Sequence, residues 1–195
     1  MPEFGTPQQR CSVSSGFTLI ELMVTIAVLA IVLTVAVPSF TSLVSSSRLN
    51  AQVNQLLAAI EYAKTEAVKN NATVIFCHST DGASCSTPPA AGWQGWAVGM
   101  AAAGTGIEAG TEMRSGLLES PQLVIRPSAV LSDADHQIRI TPQGLLRTNN
   151  RLPLTATLRV CAPSSSVNPN SRELRIRSGG QLAVISEQHA GCPTP

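Results

Sequence analysis

No sign of charge dominates this 195-residue sequence. Thirteen lysines and arginines stand against twelve aspartates and glutamates, so the formal net charge is +1. A chain this close to neutrality has no overall field that would favour nucleic acid or an acidic surface as a partner. Any such preference must come from a local basic cluster. Basic residues are missing altogether between Arg10 and Arg48.

The sequence also lacks the short motifs that carry catalysis. It contains no phosphate-binding loop, no HExxH zinc motif and no GxSxG nucleophile motif. None of the three histidines, His78, His136 and His189, belongs to a nucleophile motif. Asp133 and Asp135 precede His136, but a solvated turn accounts for them better than a metal-binding loop. We therefore expect a protein that is not an enzyme and that holds no metal or cofactor.

One long apolar run is present instead. Residues 22–40 are apolar apart from two threonines and a serine, and the single charge beside them is Glu21. A helix of about 20 residues, rising about 1.5 Å per residue, spans a hydrocarbon core of roughly 30 Å. The run therefore predicts a membrane-spanning helix with a carboxylate at its outer end.

The segment before this run is polar and rich in turn-forming residues. An ordinary secretory signal fits it poorly, because the apolar run is too long and no small-x-small cleavage site follows it. The boundary between polar and apolar residues lies at Gly16-Phe17. A signal anchor that only holds the chain in the membrane does not require the carboxylate of Glu21.

The stretch from Gly16 to Val24, GFTLIELMV, resembles the class III signal of type IV pilins and pseudopilins. That family joins a short leader ending in glycine to a phenylalanine, an apolar run with glutamate at mature position five, and a long helix. The resemblance implies that residues 1–16 form the leader. It implies that a prepilin peptidase, a membrane aspartic peptidase, cleaves after Gly16 and that the new amino group of Phe17 is methylated.

Phe17 and Glu21 share a role under this interpretation. A carboxylate in hydrocarbon is costly unless it is paired, and the Phe17 amine is the nearest candidate cation. In a filament, Glu21 of one subunit would meet this amine of its neighbour and set the axial register, as a buried polar residue does in a coiled coil. Pro38 occupies a position where many pilins have a helix-bending proline, and it removes one backbone donor.

Residues 41–71 predict a continuation of the helix with a different surface. Apolar residues recur at spacings of three and four and form one face that we expect to pack on a sheet: Leu49, Val53, Leu56, Leu57, Ile60, Ala63 and Ala67. With residues 17–40 as the membrane or filament-core half, this gives one long N-terminal helix.

Residues 72–195 predict a β-rich periplasmic head. Alternating patterns indicate strands at 73–77, 123–126, 137–140 and 157–161 and a hairpin of 174–177 with 182–185. Residues 99–116, rich in glycine and alanine, are expected to form a surface loop. The predicted fold class is α+β, type IV pilin-like, with the long helix packed on a two-sheet head.

The five cysteines divide at the apolar run. Cys11 precedes it and would remain in a reducing cytoplasm, whereas four cysteines follow it into an oxidising space. We expect the disulfides Cys77–Cys85 and Cys161–Cys192, although four cysteines allow three pairings. Free buried thiols or a zinc site with a histidine are less favoured alternatives, since no C-x-x-C spacing occurs.

Later parts of the chain resemble the FimU/FimT/GspH branch of the family. The similar stretches are residues 93–98, 141–147 and 172–184, and we expect Trp93 and Trp96 to pack in the core. The resemblance implies a minor pilin that primes or caps pilus assembly in a tip complex. A GspH-like pseudopilin of a type II secretion system is the alternative.

The same resemblance implies partners and a location. The partners are other minor and major pilins, the prepilin peptidase, the inner-membrane assembly platform and the inner membrane itself. The chain would cross the inner membrane once, with its head in the periplasm, before it enters the extracellular pilus.

A third function, DNA binding for natural transformation, depends on Arg172, Arg175 and Arg177. FimT-type DNA receptors are similar here but carry a Gly-Arg-x-Arg motif, whereas this chain has Gly180-Gln181-Leu182-Ala183, which lacks both arginines. Glu173 also shares the strand face of Arg175. DNA is therefore a disfavoured partner, and a solvated face or a subunit contact is preferred.

Overall fold

The computed structural model describes residues 16–118, 120–163 and 167–195. It contains two compact units that divide between Phe40 and Thr41. Helix α1, Leu19–Lys69, supplies residues to both units. Residues 1–15, which include Cys11 and most of the predicted leader, lie outside the described residues.

The unit Thr41–Pro195 is the β-rich head, and its elements are short. In chain order they are β1 Val74–His78, β2 Gly95–Ala101, β3 Ile107–Leu117, β4 Val124–Pro127, α2 Ala129–Asp133, β5 Gln137–Ile140, β6 Leu146–Arg147, β7 Ala156–Cys161, β8 Ser171–Ile176 and β9 Leu182–Glu187.

These strands form two antiparallel sheets. The first has the order β3-β2-β1-β5-β6 and the second has the order β4-β7-β8-β9. In the first sheet, Phe76 pairs with Val98 on one side and with Ile138 on the other. In the second, Leu158 pairs with Leu174. The α+β class with a long helix and two sheets is confirmed.

One hydrophobic cluster joins the head part of α1 to both sheets. Most of the apolar face of the helix is buried, with Leu49, Leu56 and Ile60 at 0% exposure and Leu57 partly buried. Its partners in the cluster include Phe76 and Trp93. Burial of this face, rather than intrinsic propensity, stabilises such a helix in a folded protein.

The prediction of a loop at residues 99–116 is wrong, because β2 and the long strand β3 account for most of this stretch. Two of its glycines serve close packing. A Cβ on Gly116 would lie 2.7 Å from the Trp96 ring, and a Cβ on Gly99 would lie 2.4 Å from the Ile107 side chain. Most side chains of β3 are exposed, so the strand has no apolar alternation that a sequence pattern could reveal.

Both expected disulfides are formed, Cys77–Cys85 and Cys161–Cys192. The first closes a loop in which one carboxylate oxygen of Asp81 accepts hydrogen bonds from the Ser79 hydroxyl and from the backbone N–H groups of Ala83 and Ser84. The second ties the C-terminus to strand β7.

Candidate assembly surface and the charged groups of the head

The N-terminal unit presents apolar side chains around its helix. Within the described residues 16–40, the exposed fractions of the large apolar side chains run from 48% at Leu33 to 83% at Phe17. One helix of the described chain, α1, is long and apolar enough to cross a membrane by length and composition. A surface of this kind requires lipid or the apolar faces of other helices around it.

Thr18 and Glu21 organise the start of α1. The Thr18 hydroxyl oxygen accepts a hydrogen bond of 3.2 Å from the backbone N–H of Glu21, three residues on. A threonine followed three residues later by a glutamate is the pattern of a capping box. The negative charge of Glu21 in the first turn also interacts favourably with the positive end of the helix dipole. The carboxylate therefore has a local role that the sequence interpretation overlooked.

Within the described part of the chain, no ion pair involves Glu21, and no lysine or arginine occurs before Arg48. The described residues thus supply no side-chain cation to this end of the helix. The pairing of Glu21 with a processed Phe17 amine in a neighbouring subunit stays a prediction, as do cleavage after Gly16 and methylation.

Helix α1 continues through position 38. The side chain of Pro38 lies outside the described parts of the structure, and a bend at this proline stays a prediction.

Strand β8 separates the three arginines that were considered for DNA. Arg172 is 7% exposed and faces α1, where its guanidinium donates a 2.8 Å hydrogen bond to the Asn50 side chain. Arg175 lies on the opposite face and donates to Glu187 at 3.1 Å. Arg177 follows the strand and is exposed. Arg172 therefore does not join a shared arginine stripe, and the burial of its side chain argues against a contact with DNA.

A buried ion pair links β7 and β8. Arg159 donates to Glu173 at 2.9 Å through Nε and at 2.5 Å through Nη2, and both side chains are below 8% exposed. The third guanidinium nitrogen of Arg159 donates to the carbonyl oxygen of Pro193 at 2.6 Å. The pair thereby fastens the C-terminal segment near the disulfide Cys161–Cys192.

Around this pair lies the one candidate metal cluster that the described residues contain: Glu173, Glu187 and His189. Arg159 already occupies one Glu173 oxygen, and Arg175 contacts the other at 3.4 Å. The His189 ring lies 3.2 Å from Glu187. The two arginines compensate the Glu173 carboxylate, so the geometry favours a salt-bridge network over a metal site.

The comparisons with known proteins agree with this architecture. Residues 52–180 match the sequence model of the family described as type II transport protein GspH. Residues 11–37 match the prokaryotic N-terminal methylation motif. The chain belongs to the GspH family. Among curated protein sequences, none matches this GspH-family chain.

The structure is also similar to the type IV minor pilin FimU of Pseudomonas aeruginosa strain PAO1, solved in two crystal forms. The first has 18% sequence identity and a TM-score of 0.53, and the match covers 74% of this chain and 96% of FimU. The second has 18% identity and a TM-score of 0.50 and covers 73% and 99%. At this identity the likeness shows the shared fold.

Membership places the chain in the type IV pilin and pseudopilin superfamily. Its members are structural subunits that assemble with other pilins into a pilus or a pseudopilus. An apolar N-terminal helix with the methylation motif is the part of such a subunit that anchors it in a membrane.

The tryptophans of this GspH-family head are core residues, as expected. Trp93 is 1% exposed and its ring lies 5.9 Å from the Phe76 ring and 5.7 Å from the His78 ring. His78 is itself fully buried. Its Nδ1 donates to the Ser86 carbonyl at 2.8 Å while Nε2 accepts from the Gln94 N–H at 3.3 Å, which defines a neutral tautomer. Burial lowers the pKa of His78.

The aspartates around His136 form no metal loop in the described residues. Asp133 ends α2, and Asp135 accepts a hydrogen bond from the Asn149 side chain. Burial lowers the pKa of His136, and the nearby His78 lowers it further, whereas Asp135 raises it.

Sequence reasoning missed the Arg159–Glu173 pair and the partners of His189. Arg159 lies 14 positions before Glu173 and His189 lies 16 positions after it. The pairing of β8 with β7 and with β9 brings these distant segments together. The sequence of β8, SRELRI, mixes polar and apolar residues and therefore does not mark Glu173 as a buried carboxylate that needs a cation.

Proposed function

We propose that this chain is a minor type IV pilin that primes or caps pilus assembly as part of a tip complex. The prepilin peptidase removes residues 1–16, and Phe17 is then methylated. The chain waits in the inner membrane as a single-pass protein with a periplasmic head and afterwards enters the extracellular pilus. Its partners are other minor and major pilins and the inner-membrane assembly platform, and its role is not enzymatic.

The observation that carries this proposal is the exposed and predominantly apolar surface of residues 17–40, with Glu21 as its single charge. An exposed apolar helix of this length has two suitable environments, a bilayer and a bundle of similar helices. A pilin uses both in turn. Apolar contacts alone would allow neighbouring helices to slide along the filament axis, and the charge of Glu21 selects one axial position.

The two disulfides of the head support the periplasmic location. Disulfides persist in oxidising compartments and are rare in the cytosol. Cys11 would lie on the other side of the membrane, in the leader.

The first test is mass spectrometry of the native protein from its own host. The expected mature chain begins at Phe17, and its mass includes one methyl group. A chain that retained residues 1–16 would contradict the proposal.

The second test uses Glu21 in a strain that lacks the native gene. Because Glu21→Gln keeps a residue suited to a capping box but removes the charge, a pairing role predicts a loss of surface pili with this variant, at least about tenfold and as large as the loss with Glu21→Ala. Surface pili are counted by electron microscopy after immunoblots confirm equal amounts of protein.

Thr18→Ala is the matched control, because it removes the cap and leaves the carboxylate. It should assemble close to the wild-type level. Normal assembly of Glu21→Gln combined with failure of Thr18→Ala would show that Glu21 serves the helix start and not the register.

A role as a pseudopilin of a type II secretion system is the second candidate, favoured by the description of the matched family. Deletion of the gene distinguishes the two. Loss of surface pili with normal secretion supports the pilus, and loss of secreted enzymes with normal pili supports the secretion system.

A further inference from the structure

Three arginines lie close together on the first sheet, away from the hairpin considered above. Arg139 and Arg147 are direct cross-strand partners of β5 and β6. Their neighbours Ile138, Ile140 and Leu146 are 0% exposed in the hydrophobic core. Since strand residues alternate between faces, both arginines project from the face opposite the core.

Arg151 joins them from the turn after β6. This turn is closed by hydrogen bonds from the N–H of Thr148 to the Leu152 carbonyl at 2.9 Å and from the N–H of Arg151 to the Thr148 carbonyl at 3.0 Å. Arg151 has a φ of 63°, a left-handed conformation that is uncommon for a residue with a side chain. The turn thus holds the third arginine in place.

The three side chains line an open pocket of about 320 Å³, which Thr73 and Thr141 complete. Among the described residues, no acidic side chain lines it. Burial lowers the pKa of Arg139, and the positive charge of Arg151 lowers it further. Both guanidinium groups line the same pocket, where their like charges repel each other.

These charges lack carboxylate partners in the described parts of the chain. The cations of the ion pairs in the described head are Lys64, Lys69, Arg159 and Arg175. The Arg139 guanidinium donates one hydrogen bond, to the Gly104 carbonyl at 3.3 Å.

Like charges on directly opposed strand positions destabilise a sheet. Arg159 and Arg175 pair with carboxylates, whereas Arg139 and Arg147 are paired with each other across two strands. An anion in the pocket would relieve the repulsion.

The geometry points to a binding site for a phosphoryl group, formed by Arg139, Arg147 and Arg151 with the Thr73 and Thr141 hydroxyls. Guanidinium groups match the spacing of phosphate oxygens and bind them in pairs. A phosphate monoester carries close to two negative charges, which suits three cations better than a single carboxylate does. The phosphate can belong to a small soluble ligand or to a lipid headgroup.

The test uses the full chain in a neutral detergent at low ionic strength. Pyrophosphate represents a soluble phosphate, and short-chain phosphatidic acid, compared with short-chain phosphatidylcholine, represents a headgroup. Isothermal titration calorimetry measures each. Binding of either phosphate probe supports the site, and the probe that binds identifies the source.

Arg147→Gln should weaken this binding at least about tenfold, because a hydrogen bond to a charged group is lost. Arg177→Gln removes an equal charge from an exposed position outside the pocket and should leave it unchanged. Equal losses in the two variants would overturn the proposal in favour of general electrostatic attraction. Absence of binding in the wild type would overturn it too.

Thermal unfolding without ligand separates binding from a structural role. Removal of an unpaired cation relieves repulsion, so Arg147→Gln should unfold at or above the wild-type temperature. Pyrophosphate should raise the unfolding temperature of the wild type and not that of the variant. A clearly lower unfolding temperature for Arg147→Gln without ligand would show that the arginine is structural.

Discussion

The two parts of helix α1 use apolar residues in opposite ways. In residues 17–40 they surround the helix, and Leu33 remains 48% exposed. In the part that follows Phe40 they form one stripe, and Leu56 is 0% exposed. The head of the same chain buries the apolar stripe of the second part. The first has an apolar surface that only a membrane or other subunits can cover, which explains why the same helix can serve both folding and assembly.

Charges follow the same contrast. Glu173 in the head is buried, and Arg159 and Arg175 compensate it. Glu21 has no cation in the described part of the chain. The head therefore pairs this buried carboxylate within its own chain, whereas the described part of the N-terminal unit offers Glu21 no such partner.

Among these variants, Arg159→Met is expected to change the free energy of unfolding most. This change leaves the Glu173 carboxylate buried without its main partner, and breaking a buried pair in this way typically costs about 3–5 kcal/mol. Denaturant unfolding of the full chain in detergent measures the free energy of unfolding.

The double variant Arg159→Met with Glu173→Gln should recover most of this loss, because the buried charge is also removed. Arg177→Met at an exposed position should change the free energy by less than about 0.5 kcal/mol. An effect of Arg159→Met as small as that of Arg177→Met would contradict the contrast between the two units.

A smaller effect on the free energy of unfolding is expected when isoleucines from the two parts of α1 are replaced and compared. Ile60→Ala empties a fully buried site and should lower the free energy of unfolding by about 2–4 kcal/mol. Ile31 is 69% exposed, and Ile31→Ala should leave the head's unfolding transition unchanged. Circular dichroism of both variants checks this. A similar loss with Ile31→Ala would show that the head depends on the N-terminal unit.

The smallest effect concerns pH. The pKa of His78 is lowered from 6.5 by burial, so above pH 6.5 both folded and unfolded chains hold this ring neutral. As the pH falls below 6.5, the unfolded chain takes up the proton first and stability decreases, by at most about 1.4 kcal/mol per pH unit for one histidine. His78→Gln should flatten the fall between pH 6.5 and 5 in a series of denaturant unfolding curves. An unchanged slope would exclude His78 as its source.

Most of the helix could be predicted because its signals are local. A continuous apolar run and a stripe at spacings of three and four each define a surface without reference to the rest of the chain. The strands at residues 137–140 and 157–161 were visible for the same reason. Strand β3 was not, since its stability comes from backbone pairing with β2 while its side chains mostly face outward.

The charged sites show more clearly which features a sequence pattern does not reveal. Arg139 and Arg147 lie eight residues apart, and nothing in that spacing reveals that they face each other across two strands. Arg172, Arg175 and Arg177 have the spacing of a cluster but divide between two faces. Pairing partners come from sheet register, which depends on contacts between distant segments.

The sequence by itself determined the apolar helix, the single charge at its start, the motif around Gly16 and Phe17 and the α+β class, because each is encoded in neighbouring residues. The tertiary structure alone decided which charges are paired. It buried Glu173 against Arg159, turned Arg172 towards the helix and left three arginines together around one pocket, since strand register sets which distant side chains meet.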